Sequence, residues 1–122
     1  PLDLLTEPLL LLGAGNCFRD QVLDLCAHAS QQTDTPQVLE GSSLETIRYM
    51  VASNLGVTVM PASCADRIAP DDALLSVRPF VEPTPTRRIG LVWRTSFPRH
   101  KAIDLMRGAL IDSRLPGTTP LS

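Results

Sequence analysis

Short apolar runs alternate with longer amphipathic stretches along the first half of the chain. The run Leu9–Leu12 is continuously apolar and is followed by Gly13 and Gly15, as is typical of a strand buried on both faces. Asn16 is then a suitable helix N-cap, and residues 17–29 carry a helical pattern. The predicted inward positions of this helix are Phe18, Val22, Leu25 and Ala29. A polar loop is predicted at 30–36, before a short strand at 37–40.

A second helix is predicted to begin at a capping box. Ser42 and Glu45 have the S-x-x-E spacing, and Gly56 suits the left-handed conformation that often ends a helix. The predicted buried face of this helix consists of Leu44, Ile47, Val51 and Leu55. A β-branched apolar run follows at 57–60 and predicts another strand.

The second half of the chain is richer in proline and less regular. It predicts a short helix at 62–68, an edge strand at 74–81 and a strand at 89–94, and its last helix, at 101–111, should turn Ile103, Met106 and Leu110 inward. Strands that alternate with helices indicate an α/β fold with a mostly parallel sheet.

Composition limits the kinds of protein that this chain can be. The net charge is −2 and no basic stripe is present, which disfavours direct contact of this chain with nucleic acid. Three cysteines favour a cytoplasmic protein with reduced thiols over a disulfide framework. The run Leu9–Leu12 is too short to cross a membrane, no signal peptide is evident, and the start at Pro1 suggests a fragment. We expect no membrane association.

The glycines of GAGNCF follow a strand and precede a helix, as in a dinucleotide-binding turn. The third glycine of that motif is replaced by Phe18, so the sequence predicts a tight turn and no bound cofactor. No Ser–His–Asp or paired-carboxylate arrangement is evident, and we expect the protein not to be an enzyme.

Two cysteines of the predicted first helix are the main candidates for chemistry. Cys17 would be its first residue, where the helix dipole and the nearby Arg19 favour a thiolate. Cys26 lies nine residues later, which in an unbroken helix means an axial rise of about 13.5 Å and a rotation of roughly 180°. A disulfide requires Cα atoms within about 7 Å, so these thiols could bond only if the helix unwound. Each cysteine could instead be a buried core residue.

Other side chains of metal-binding or redox type lack a convincing pattern. Cys64 falls in a predicted surface helix without an obvious partner, and it does not complete a zinc site with Cys17, Cys26 and His28, because close ligand pairs are missing. We expect no metal.

Three segments together resemble a known family. LLLL-GAGNC-FRDQVLDLC, SSLETIRYMVASNLGVTVMP and RRIGLVWR are similar to the regulatory domain of hydrogen-peroxide-sensing LysR-type transcription activators, the OxyR group, over about residues 1–111. The block C-F-R-D-Q-x-x-x-x-C is specific to that group, whereas the second segment is shared more widely among LysR-type effector domains.

The resemblance implies roles for four residues. Cys17 matches the cysteine that peroxide oxidises to a sulfenic acid, and Cys26 matches the one that resolves it into a Cys17–Cys26 disulfide. Arg87 matches an arginine that helps to bind peroxide. Asn16 stands where the family commonly has histidine, and its amide can hydrogen-bond peroxide but cannot carry charge.

The resemblance also implies an architecture and partners. The fold would be a periplasmic-binding-protein-like, two-subdomain Rossmann-type effector domain, present here as a partial chain: the second subdomain at 1–86, the closing strand and helix of the first at 87–115, and a tail at 116–122. The partners would be hydrogen peroxide, further copies in a dimer or tetramer, RNA polymerase, and promoter DNA through a winged helix-turn-helix absent from this chain. Oxidation would activate oxidative-stress genes.

Two other functions are compatible with the residues. A LysR-type effector domain could bind a small anionic ligand near Ser43 and Thr46, at a helix N-terminus, with incidental cysteines. A thiol peroxidase would be a third possibility, although no peroxidase signature is evident.

Overall fold

The structure is a computed structural model that describes residues 4, 6–29 and 37–121. The chain forms two compact units, Pro1–Pro85 (unit 1) and Thr86–Ser122 (unit 2). The predicted loop at 30–36 lies outside the described residues. Helices and strands in the described part are β1 (Leu9–Leu12), α1 (Cys17–Ala29), β2 (Val38–Gly41), α2 (Leu44–Ala52), α3 (Ala62–Ala65) and α4 (His100–Asp112).

A small parallel sheet forms the centre of unit 1. β1 pairs with β2 in parallel, with Leu9 opposite Val38 and Leu12 opposite Gly41. Val57 lies on the other side of β1 through a single parallel bridge to Leu9. The α/β class and the parallel pairing are confirmed, while the strand predicted at 57–60 is reduced to this one bridge.

The core of unit 1 is built on β1, whose side chains alternate between the two faces of the sheet. Leu9 and Leu11 pack with Val22 and Cys26 of α1 in one buried cluster. Leu9, Leu10 and Leu11 are each at most 3% exposed, so the apolar run is covered on both faces, as the sequence predicts.

The ends of α2 differ from the sequence prediction. The N-cap is Ser43 rather than Ser42, because the Ser43 hydroxyl is the one that accepts a hydrogen bond from the Thr46 amide, at 3.1 Å. The left-handed residue after the helix is Asn54, with φ 60°, rather than Gly56. Asparagine tolerates this conformation because its short polar side chain can bond locally. Within the predicted apolar face, Ile47 is fully buried and Leu55 is 47% exposed.

The strands predicted at 74–81 and 89–94 do not form in the described part of the chain. Leu74 and Val81 in the first segment, and Ile89 and Val92 in the second, are 71–96% exposed. A strand needs a neighbour to take up its backbone hydrogen bonds, and an apolar pattern alone does not supply one.

α4 of unit 2 extends the predicted helix by one residue at each end. Its predicted inward face is not buried: Ile103 is half-buried, whereas Met106 and Leu110 are 54% and 50% exposed. The spacing of these residues is helical, but unit 2 offers little surface to cover them.

Candidate functional site

A glycine turn and an asparagine cap position Cys17 at the start of α1. Gly15 adopts φ +86°, a left-handed conformation that lets the chain turn from β1 into the helix. Asn16 Oδ1 accepts a hydrogen bond from the Phe18 amide at 3.0 Å, and the Asn16 carbonyl accepts one from the Asp20 amide at 3.3 Å. Asn16 therefore caps the helix, as predicted, and Cys17 is its first residue.

The two cysteines of α1 lie in contrasting surroundings. The residue Cys17 is exposed, whereas Cys26 is 3% exposed and packs with Leu9, Leu11 and Val22. Burial raises the pKa of the Cys26 thiol, because the apolar cluster stabilises the neutral form. The inward stripe of α1 thus runs through Val22 and Cys26, and includes a cysteine that the predicted set of Phe18, Val22, Leu25 and Ala29 omitted.

The helix between the two cysteines is continuous. α1 runs unbroken from Cys17 to Ala29, which places the two thiols about 13.5 Å apart along the axis and on opposite faces. All three cysteines of the chain are free thiols. A Cys17–Cys26 disulfide is thus incompatible with this conformation, because its Cα atoms would have to approach to within about 7 Å.

Arg19 lies on the same turn as Cys17, but its charge is directed at the sheet. Its Nη1 donates to the Leu12 carbonyl at 2.8 Å and to Glu40 Oε1 at 2.6 Å. The sequence predicted that the nearby Arg19 would favour a Cys17 thiolate, but in the structure its guanidinium is paired with the Glu40 carboxylate. The sequence shows the charge of Arg19 but does not identify Glu40 as its partner, because that pairing depends on the register of β2.

The other candidate residues are Arg87, Cys64 and His28. Arg87 is an exposed residue of unit 2, while Cys17 belongs to unit 1. Cys64 is half-buried in α3, and His28 Nδ1 lies 2.6 Å from the Asp24 carbonyl oxygen. Within residues 6–29 and 37–121, no group of three or more His, Cys, Asp or Glu side chains could hold a metal ion.

The alternative anion site at the start of α2 is already bonded internally. The Thr46 hydroxyl lies 3.2 Å from that of Ser42 and 3.0 Å from that of Ser43, and the Ser43 hydroxyl also accepts from the Thr46 amide. A groove of about 750 Å³ lies elsewhere in unit 1, lined by residues between Ala65 and Arg78. The geometry therefore gives no particular support to a ligand at Ser43 and Thr46.

Comparison with protein families decides the class. The family model for the LysR substrate binding domain matches residues 1–114. The chain belongs to this family. Its fold is therefore of the periplasmic-binding-protein-like α/β type, as the sequence resemblance implied.

Curated relatives of this LysR-type chain are named as OxyR or as hydrogen peroxide-inducible genes activators. It is 36% identical over 115 residues to the DNA-binding transcriptional dual regulator OxyR of Escherichia coli K12, covering 94% of this chain and 36% of that protein. It is 37% identical over 110 residues to a probable hydrogen peroxide-inducible genes activator of Mycobacterium avium, covering 88% of this chain and 35% of the relative. The sequence resemblance to the OxyR group is thus confirmed.

A solved structure is similar to this LysR-type domain. The reduced form of the OxyR regulatory domain from Pseudomonas aeruginosa superimposes with a TM-score of 0.69 at 46% identity, covering 93% of this chain and 50% of the other. The chain therefore spans half of that regulatory-domain chain, and about a third of the length of the curated relatives. Within the described residues, the helices are too short or too polar to span a membrane.

Proposed function

We propose that this chain is the redox-sensing part of a LysR-type transcription regulator that responds to hydrogen peroxide. The observation that carries the proposal is the placement of two free cysteines on opposite faces of one continuous helix, one exposed and one buried. Such a pair can form a disulfide only by changing the fold, which is the requirement for a covalent switch. Relatives named as hydrogen peroxide-inducible genes activators support peroxide as the oxidant.

The first step belongs to Cys17. Its thiolate attacks one oxygen of hydrogen peroxide, the O–O bond breaks, and hydroxide leaves and is protonated to water. The exposed position of Cys17 gives peroxide access to its sulfur. The product is a sulfenic acid on Cys17.

The second step requires Cys26 to leave the apolar cluster or Cys17 to move towards it. The Cys26 sulfur then attacks the Cys17 sulfur, an S–S bond forms, and the sulfenic oxygen leaves as water. Over both steps two thiols and one peroxide give one disulfide and two waters. Because nine residues of α1 separate the two cysteines by about 13.5 Å along the helix axis, part of this helix must unwind before the second step.

Asn16 and Arg87 are proposed to assist the first step. Asn16 Oδ1 is committed to the Phe18 amide, so a hydrogen bond from Asn16 to peroxide would come from its Nδ2 group. Arg87 would stabilise the developing negative charge on the leaving oxygen through its guanidinium. Its support is the resemblance of the RRIGLVWR segment to the OxyR group.

The function of the whole regulator is proposed from its relatives. We infer that the complete protein works in the cytoplasm as a dimer or tetramer, binds promoter DNA through a helix-turn-helix outside this chain, and activates oxidative-stress genes with RNA polymerase. The LysR-type family of the chain and the names of its relatives support this proposal. A reduced cytoplasmic thiol pool is also what would return the disulfide to thiols.

Peroxide treatment followed by disulfide mapping tests the proposal. With about one equivalent of peroxide, mass spectrometry should find a Cys17–Cys26 bond in the native chain and none in Cys17→Ser. Cys26→Ser should instead accumulate a Cys17 sulfenic acid that dimedone traps, because the resolving thiol is gone. Cys64→Ser is the matched control and should form the bond normally. If the native chain keeps three free thiols after this treatment, the proposal is wrong.

A further inference from the structure

Arg19 joins three elements of unit 1 at the point where α1 begins. We propose that Arg19 is a positioning residue of the redox switch, which clamps the first turn of α1 to the sheet and thereby sets how readily the Cys17–Cys26 disulfide forms. The clamp consists of the Arg19 guanidinium, the Leu12 carbonyl and the Glu40 carboxylate. The inference rests on the proposed function, because it concerns the equilibrium between the same two thiols and their disulfide.

The contacts of the clamp connect α1 to both strands. Arg19 Nη1 donates to the carbonyl of Leu12, the last residue of β1, at 2.8 Å, and to Glu40 Oε1 of β2 at 2.6 Å. Glu40 lies opposite Leu11 in the parallel register, so the guanidinium bridges the carboxyl ends of neighbouring strands. The Arg19 side chain is 17% exposed, and partial burial of this kind reduces solvent screening of its charge-assisted bonds.

The clamp holds the end of α1 that can move at lower cost. Cys26 and Val22 are 3% and 2% exposed, and withdrawing them would open the core around Leu9 and Leu11. Cys17 is exposed and is not a member of the buried cluster that the described residues form, so unwinding costs less at its end. Arg19 is two residues from Cys17, so its backbone must shift when the first turns of α1 unwind, and the bonds to Leu12 and Glu40 then break.

Thermodynamic linkage gives the direction of the effect. The clamp is present in the helical dithiol form and absent from the disulfide form, so it stabilises only the former and opposes oxidation. Removing it should shift the thiol–disulfide equilibrium towards the disulfide. The Glu40 side chain is 54% exposed, so solvent screens part of the ion pair, and the part-buried bond from Arg19 to the Leu12 carbonyl adds to it. Together the two contacts give an expected shift of about five- to tenfold in the equilibrium constant.

A glutathione redox buffer measures that constant directly. In the exchange, the thiols of Cys17 and Cys26 reduce one glutathione disulfide, giving one Cys17–Cys26 bond and two molecules of reduced glutathione. The 122-residue chain and its Arg19→Gln variant are equilibrated at a series of buffer ratios, quenched with acid and alkylated, and the fraction of Cys17–Cys26 bond is read by mass spectrometry. Arg19→Gln should reach half-oxidation at a ratio about five- to tenfold more reducing. Arg19→Lys, which keeps the positive charge, should fall between the two.

The ion pair between Glu45 and Arg48 provides the matched control. It joins two residues of α2 at 3.5 Å and connects no second element, so Arg48→Gln should leave the half-oxidation ratio within twofold of the native value. If circular dichroism shows that Arg19→Gln folds poorly, Glu40→Gln tests the same clamp through its other partner. Glu40→Gln is expected to shift the half-oxidation ratio in the same direction.

The possible results separate the clamp from the switch itself. A native chain that forms the Cys17–Cys26 bond, with Arg19→Gln and Glu40→Gln both within twofold of it, overturns the clamp and leaves the proposed function standing. A native chain that forms no such bond at any ratio overturns both. General stability is measured separately, as the urea midpoint of the Cys17→Ser chain with and without Arg19→Gln. A lower urea midpoint without a shift in the half-oxidation ratio would overturn the clamp.

Discussion

Cys26 has two roles that conflict at the scale of a single residue. As a core side chain it is almost fully buried among Leu9, Leu11 and Val22, and this burial raises its pKa. As the proposed resolving thiol it must become an accessible nucleophile. In the proposed mechanism the two roles are separated in time, because Cys26 would become reactive only after α1 has begun to unwind.

The raised pKa of Cys26 predicts a pH dependence. We expect iodoacetamide to alkylate Cys26 at least about tenfold more slowly than Cys17 at neutral pH, since a buried neutral thiol is a poor nucleophile. Because the pKa of Cys26 is higher in the folded chain than in the unfolded one, its contribution to stability is complete below the ordinary value of 9.0 and is lost as the pH rises through the folded value.

Two measurements check these expectations. Peptide mapping after timed alkylation gives the two rates, and equal rates would contradict the burial of Cys26. Urea unfolding at increasing alkaline pH should show a steeper loss of stability in the native chain than in Cys26→Ser, which lacks the thiol. Identical pH profiles for the two chains would mean that Cys26 does not titrate in the folded state as proposed.

At the scale of elements, β1 depends on the segment that starts at Gly56. Leu10 donates to the Val57 carbonyl at 2.8 Å, Val57 donates to the Pro8 carbonyl at 2.9 Å, and the Thr58 hydroxyl donates to the Leu10 carbonyl at 2.7 Å. Gly56 makes this approach possible, since it adopts φ +147° and a Cβ there would overlap the Pro8 carbonyl oxygen. The segment at 56–58 covers one edge of β1, and its close approach to β1 requires Gly56. The core around Cys26, which is built on β1, therefore depends on this glycine.

Substitution of Gly56 tests this dependence. We expect Gly56→Ala to lower the free energy of unfolding by about 3 kcal/mol or more, through steric overlap added to backbone strain. Gly15→Ala is the matched control, because Gly15 also has positive φ but nothing within 4 Å of an added Cβ, so only a strain of about 1–2 kcal/mol is expected. Urea denaturation compares them, and a Gly15→Ala variant as unstable as Gly56→Ala would contradict the packing described for Pro8.

The elements that the sequence predicted well are those defined by local signals. β1 and α1 have the predicted bounds because a four-leucine run, two glycines and an asparagine cap each act within a few residues. The cap of α2 was displaced by one residue, since Ser42 and Ser43 are chemically equivalent candidates and only the backbone geometry selects between them.

The features that the sequence could not supply depend on distant partners. The predicted strands at 57–60, 74–81 and 89–94 required neighbours, and among the residues that the structure describes only Val57 has one, through a single bridge to Leu9. The ion pair of Arg19 with Glu40 likewise depends on the pairing of β1 with β2, which residue spacing does not reveal. Helical spacing also predicted an inward face for α4 without a surface to bury it.

At the scale of the whole molecule, the proposed redox chemistry is concentrated in unit 1. Cys17, Cys26, the capping Asn16 and the Arg19 clamp all belong to Pro1–Pro85, and only Arg87 belongs to unit 2. The equilibrium between the two thiols and their disulfide should therefore not depend on Arg87, whereas the rate of the first step should. The chain matches half of a solved OxyR regulatory domain, and we infer that the proposed change in α1 is passed on through residues outside this chain.

The central claim is that the Cys17–Cys26 bond and an intact α1 exclude each other. Hydrogen–deuterium exchange of the reduced and peroxide-oxidised chain, read by mass spectrometry on peptides that cover residues 17–29, tests it most directly. The account predicts that these amides are protected in the reduced chain and lose protection in the same molecules that carry the disulfide, while Cys17→Ser keeps its protection after peroxide treatment. A chain that carries the Cys17–Cys26 bond with the amides of α1 still fully protected would contradict it.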